Sequence, residues 1–142
     1  MTMQAGRVVR GVTAPLAVLS VAIGLWALVS PESFFSNVAP YPPYSRHLVH
    51  DLGAFQLGMG ACLACGLLSR DALLAVLAGN AVGWIAHFIS HFMDQSIGGH
   101  DTDAAFVGLA ALLLTMLTLI RWLGIRSVRR TPDAPLGQGG MS

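Results

Sequence analysis

The sequence predicts an all-α integral membrane protein: a four-helix bundle, antiparallel, with both termini cytoplasmic. Three observations carry that expectation. The chain of 142 residues is 54% hydrophobic and only 11% charged, against about 25% charged residues in soluble domains. Its apolar residues fall into four runs, each near the roughly 20 residues needed to cross about 30 Å of hydrocarbon at about 1.5 Å per residue. Finally, the basic residues, all eight of them arginine, flank those runs almost entirely on one side.

The first predicted span covers residues 12–30. Arg7 and Arg10 precede it as they would a secretory signal, but the apolar stretch exceeds the usual 7 to 15 residues of a signal core, so it reads as a retained helix. Ser30-Pro31 ends it, because the residue before proline is pushed out of the α region. Pro40, Pro42 and Pro43 keep the following outer loop extended. Phe34, Phe35, Tyr41 and Tyr44 suit an aromatic belt at headgroup level, with Trp122 as their counterpart on the inner face.

The second span covers residues 52–68 and the third residues 72–93. Ser69-Arg70-Asp71 between them leaves room only for a tight hairpin, which makes these two helices antiparallel neighbours. A short outer loop, residues 95–103, carries Gly98-Gly99 for an unusual backbone turn. The fourth span covers residues 104–123, completing a transmembrane domain over residues 1–130. Residues 131–142 are rich in Pro and Gly and are expected to be a disordered tail.

Orientation follows from the arginines. With a cytoplasmic N-terminus, Arg7, Arg10, Arg70, Arg121, Arg126, Arg129 and Arg130 lie inside and only Arg46 outside, a strong positive-inside bias. Glu32, Asp51, Asp94, Asp101 and Asp103 fall on the outer side. A net charge of +1 with no concentrated basic surface excludes nucleic acid as a partner. The expected partners are the lipid bilayer and either another membrane protein or a second copy of the chain. The absence of lysine beside abundant Ala and Gly fits a GC-rich bacterial genome, and hence a bacterial inner (plasma) membrane.

The stretch GWIAHFISHFMD, ending the third span, places two histidines one helical turn apart in an apolar run. Helices in lipid associate where small residues let backbones approach. Ala75, Gly79 and Gly83 recur every four residues on the third helix, and the same spacing leads to His87 and His91, with Asp94 beyond. On the second helix Ala54, Gly58, Cys62 and Gly66 repeat the pattern, and its face extends outward to His50, beside Asp51 and His47. The two series are expected to face one another, so that their histidines converge with His100 and Asp101 of the outer loop. All five histidines then share one membrane face with Asp51, Asp94, Asp101 and Asp103.

Imidazole with carboxylate is a ligand set for zinc, copper and iron, and His-x-x-x-His on a helix presents two nitrogens on one side. HLVHD, HFISHFMD and GGHD on three adjacent segments also supply the carboxylates that ligating histidines need on their second nitrogen. The leading expectation is therefore a transition-metal site, with His50, His87 and His91 as ligands. Asp51, Asp94, His47 and His100 are further ligands or their hydrogen-bond partners. Haem held between His87 and His50 or His47 ranks below it. The alternatives are a structural hydrogen-bond network in an accessory subunit and, third, a small transporter or proton pathway. Phe88 stands where the protease motif HExxH needs its glutamate, and Glu32 is the sole glutamate, which excludes the Glu-x-x-His pairs of di-iron bundles.

Cys62-Leu63-Ala64-Cys65 has the spacing of a redox pair, but Cys62 lies 12 residues, roughly 18 Å, below His50. Packing within the small-residue series accounts for it more simply. Gln56 and Asn80, the other polar residues within spans, are expected to bond between helices.

The plan as a whole, with a long first outer loop and the segments HDLGAFQLGMG and GWIAHFISH, resembles the DoxX-like group of small bacterial membrane proteins and four-helix actinobacterial relatives. That resemblance implies a role at the bacterial inner membrane, as an accessory redox or envelope-associated subunit. It brings no catalytic signature and no residue roles.

Overall fold

The computed structural model describes residues 3–69 and 72–129. Over these it is all-helical: α1 (Met3–Val29), α2 (Pro31–Asn37), α3 (Arg46–Leu68), α4 (Leu73–Met93) and α5 (Asp103–Arg129), with no strand among the described residues. Arg70 and Asp71 of the expected hairpin, Arg130 and the expected tail at 131–142 lie outside the described residues.

The helices α1, α3, α4 and α5 are long and apolar enough to cross a membrane, and their most apolar stretches are only 22–28% buried within the protein. Val18, Phe55, Val82 and Phe106 stay about 70% exposed or more (70%, 76%, 68% and 69%). Apolar surface on that scale, at roughly 25 cal/mol per Å² in water, needs a lipid solvent. This is the build of a membrane protein.

Glycine sets the closest helix pair. On α1, a Cβ added at Gly24 would come within 2.6 Å of the Leu57 amide nitrogen on α3, and one at Gly60 within 2.8 Å of Val21. The two backbones therefore touch where no side chain intervenes, as helices in lipid tend to do. Gln56 donates to Ser20 Oγ across the same contact at 3.3 Å, both side chains being buried, so the expected interhelical bond forms. Asn80 differs: its amide donates to the Val76 carbonyl of its own helix at 3.0 Å, and its Oδ1 is buried without a hydrogen-bond partner. On the other side, α4 packs against α5, with the Phe88 ring filling the space beside Gly108. Val9, Ala17, Leu63, Leu77, Leu114 and Leu117 join the two pairs in one core.

Two expectations are corrected. Ala75, Gly79 and Gly83 on α4 and Ala54, Gly58 and Cys62 on α3 are exposed, and nothing lies within 4 Å of a Cβ placed at Gly58 or Gly79. Of the glycines in the two series, Gly66 packs closely on the other helix, through Val76, and Gly83 meets it only at 3.8 Å, through Met59 Sδ. The packed face of α3 is instead Val49, Gly53, Gln56, Gly60, Leu63 and Gly66. Spacing explains the difference. A step of four residues turns a helix about 400°, so a strict every-fourth series drifts about 40° per step, whereas alternating three and four holds one face. Cys62 and Cys65 are likewise exposed, and packing does not account for them.

The first loop is also more ordered than its prolines suggest. Residues 31–37 form the short helix α2, with Pro31 at its first turn and Glu32 beside it, positions that favour proline and an acid respectively. Phe34 is 2% exposed. It seals the end of the α1–α3 contact against Ala27 and Val49, edge-on to Trp26 at 5.8 Å. Because α2 caps the core here, α3 begins at Arg46, six residues before the predicted span at Leu52, and His47, His50 and Asp51 become helical.

Candidate functional site

The last two turns of α4 carry His87 and His91, four residues apart and so on neighbouring turns of one side. Their Nε2 atoms are 2.9 Å apart, with ring centroids at 4.7 Å. Both are half-buried. Trp84, one turn earlier, lies under His87 at 5.7 Å. The other ring nitrogen of His91, Nδ1, is 3.0 Å from the Tyr41 hydroxyl, whose ring meets the imidazole edge-on.

Tyr41 reaches His91 because two loops interlock. Gly98 and Gly99 adopt φ of 150° and 85°, values that side chains rarely allow. Gly99 donates its amide to the Pro40 carbonyl at 3.3 Å. A Cβ on Gly99 would collide with the Tyr41 hydroxyl and stand 2.8 Å from Asp103 Oδ2, while one on Gly98 would stand 2.9 Å from the Pro40 oxygen. The glycines thus let the second loop pass directly over Pro40-Tyr41-Pro42. Asp103, opening α5, accepts the His100 amide at 2.8 Å, and its Oδ2 flanks Gly99 together with the Tyr41 hydroxyl. Burial, and then the neighbouring Asp103 carboxylate, push the Tyr41 phenol above its ordinary pKa, with a smaller effect from Asp94. Tyr41 is therefore a neutral phenol wherever the fold persists near neutral pH.

None of the other predicted residues has a side-chain bond to the His87 or His91 ring. His47 and Asp51 pair at 3.5 Å on the exposed side of α3. Exposed pairs of this kind contribute little. His50 is half-buried on α3. Asp94 is the exposed residue closing α4, its amide bonded to the Ser90 carbonyl. His100 and Asp101 are exposed in the second loop. Among the described residues no three His, Cys, Asp or Glu side chains converge as ligands of one ion would. What the structure does bring together is His87 with His91, and His91 with Tyr41 and Asp103.

The sequence places Tyr41 in an aromatic belt and Asp103 among the carboxylates on the histidines' face, but does not show that Tyr41 meets His91. A local signal existed in Pro40-Tyr41-Pro42, which fixes the backbone around one polar aromatic residue. No periodicity links it to His91, fifty residues later.

Comparison with known proteins returns no match: no protein-family model fits the chain, no curated protein is detectably similar in sequence, and no solved structure matches it.

Proposed function

We propose that this is a small multi-pass protein of a bacterial inner membrane whose His87/His91 pair, on the extracytoplasmic side, binds a transition-metal ion for redox or metal-handling chemistry. The observation that carries this reading is the 2.9 Å between the two Nε2 atoms. Two nitrogens each about 2.0–2.1 Å from an ion, at roughly a right angle, lie about 2.9 Å apart. Zinc, copper and iron all accept such imidazoles. With two imidazoles from the chain, the ion keeps positions open to water or an incoming ligand, the arrangement of reactive rather than closed structural sites. Haem ranks lower because His87 Nε2 faces a ring on its own helix instead of a partner across a porphyrin. The exposed Asp94, closing α4 just beyond the pair, would draw cations toward it.

The antiparallel arrangement with both termini cytoplasmic belongs to the same reading. It is supported by the arginine bias and by the reversed order of contacts between α1 and α3, where Gly24 meets Leu57, Val21 meets Gly60 and Arg10 donates to the Leu67 carbonyl. The DoxX-like resemblance accords with it as an envelope-associated redox subunit.

The test is metal content after loading with Zn²⁺ or Cu²⁺ and dialysis. Wild type and a His47→Ala plus His100→Ala variant should retain about one ion per chain, and His87→Ala plus His91→Ala none. A wild type that retains no ion overturns the reading. A second reading is favoured by His91 having both ring nitrogens bonded within the protein: a non-enzymatic accessory subunit, in which the cluster clasps the outer loops against a partner. It predicts a stoichiometric partner in gentle detergent, released by His91→Ala. A partner-free wild type would count against it.

A further inference from the structure

We infer that the end of the bundle where α1 begins and α5 finishes is a binding surface for anionic phospholipids, whose headgroup phosphates meet the exposed Arg7 and Arg126 while their acyl chains lie along the apolar side chains beside them. The imidazole pair lies toward the opposite end, near the close of α4, so this surface stands independently of the metal reading.

Charge is divided between the two ends of the molecule. Arg7 and Arg10 lie near the start of α1, and Arg121 and Arg126 near the finish of α5. Val9, Leu73 and Leu117 share one core cluster, which sets the start of α1, the start of α4 and the finish of α5 at one end. Among the described residues of that end, 3–20, 60–69, 72–80 and 110–129, there is no carboxylate. In the sequence joined to it, Arg70, Arg129 and Arg130 stand against Asp71 and Asp133 only. The other end has the reverse balance: Glu32, Asp51, Asp94, Asp101 and Asp103 against Arg46, and Arg46 already binds Glu32 at 2.7 Å. The positive pole therefore faces one headgroup layer, and arginines so placed attract anionic lipid.

The local geometry suits a phosphate that carries chains. The Arg126 guanidinium lies over the Trp122 ring, 4.5 Å from its centre. Stacking occupies the flat face of the guanidinium and leaves its in-plane N–H donors directed outward, a fork that fits two oxygens of one phosphate. Trp122 is itself exposed, and its amphipathic ring belongs at headgroup level. On α1, Arg10 donates to the Leu67 carbonyl where α3 ends, which ties two helices together. Arg7, one turn nearer the helix start, is exposed. Val8 beside Arg7 and Leu123 beside Trp122 are exposed as well. A soluble anion has nothing to set against that apolar surface, whereas a phospholipid covers both the cation and the hydrocarbon. A zwitterionic headgroup brings its own ammonium, so an anionic one is preferred, by about fivefold for each arginine near the surface.

The test titrates the full-length protein, in uncharged detergent, with phosphatidylglycerol and with phosphatidylcholine of the same chains, and counts bound lipid by native mass spectrometry. Inorganic phosphate, the anion without chains, is the third arm. Wild type should prefer phosphatidylglycerol over phosphatidylcholine by about 25-fold, fivefold for each of two arginines, and should retain no phosphate. Arg7→Gln and Arg126→Gln should each lower phosphatidylglycerol affinity about fivefold, and the double variant should lose the preference, whereas Arg46→Gln at the opposite end should change nothing. Helical circular dichroism is the folding control, and should one variant fail it, the other still decides. Equal binding of the two lipids overturns the inference, as does an Arg46→Gln loss matching that of Arg126→Gln. Phosphate retained as tightly as phosphatidylglycerol also overturns it, since the arginines would then serve a soluble anion.

Discussion

Gly99→Ala should open the site without unfolding the helices. The residue has φ of 85°, a conformation that costs a side-chain-bearing residue roughly 1–2 kcal/mol. Its new methyl would also collide with the Tyr41 hydroxyl and press on Asp103 Oδ2 at 2.8 Å. Moving Tyr41 away forfeits its bond to His91, worth roughly 0.5–1.5 kcal/mol. Together these come to about 1.5–3.5 kcal/mol, and at 1.4 kcal/mol per factor of ten the interlocked loops should open roughly 10- to 300-fold more often. Hydrogen–deuterium exchange reads that number directly, because amides in a locally opening unit exchange in proportion to its open population. Faster exchange should be confined to residues 38–45 and 95–102, with α1 and α3 unchanged in their packed centres. Unchanged exchange in those loops would refute the claim that Gly99 lets them interlock. An equal increase throughout all the helices would refute the claim that the clasp is local.

Three further outcomes follow from the packing and the charges. Gly24→Ala, whose methyl would meet backbone at 2.6 Å, should destabilise the protein by about 1–3 kcal/mol in an unfolding titration, whereas Gly79→Ala, with open space around it, should stay within about 0.5 kcal/mol. Equal effects would discredit the assignment of packed and lipid-facing sides. Gln56→Leu should cost about 0.6 kcal/mol, the average for a hydrogen bond between membrane helices, through the loss of its bond to Ser20. A loss beyond about 2 kcal/mol would show a larger role than this one bond. In a Tyr44→Phe background Tyr41 is the sole tyrosine, and its ultraviolet titration should have a midpoint above the ordinary value of about 10. The folded state holds that proton where an unfolded tyrosine releases it, so the stability Tyr41 contributes is complete below about pH 10 and lost as pH rises through the folded midpoint. A midpoint at or below 10 contradicts a half-buried phenol beside the Asp103 carboxylate.

The four long helices were legible because apolar length is a local property: each run declares itself without reference to the others. Their ends were less so. The span starting at residue 52 begins at Arg46 in the structure, since Ser45 caps the helix by accepting the Leu48 amide and helix continues past the hydrocarbon-length stretch into polar sequence. The helix α2 was hidden because Pro31 reads as the stop of the helix before it, although the first helical turn is where proline is most at home. Which faces meet was the least legible feature. Small residues were abundant enough to make several plausible series, and only contact geometry separates Gly53 and Gly60, which touch α1, from Gly58, which touches nothing.

The drift of the every-fourth series also explains why the histidines were found in the right place for an insufficient reason. From Ala75 to His91 there are four steps of about 40° each, so the series turns through about 160°. Ala75, Gly79 and Gly83 are exposed, yet His87 and His91 have come round toward the protein and are half-buried. Burial of the pair therefore does not depend on a small-residue face but on what covers that end of α4, and the cover is the Tyr41 loop locked down by Gly98-Gly99. The histidine pair was readable because it is local, two residues on one helix. Its positioning was not, because it requires Pro40-Tyr41 from the first loop, Gly99 from the second and Asp103 from the start of α5 to meet. A change in any of those three segments should alter the surroundings of His91 while leaving every predicted span intact, and that separation is what the Gly99 variant measures.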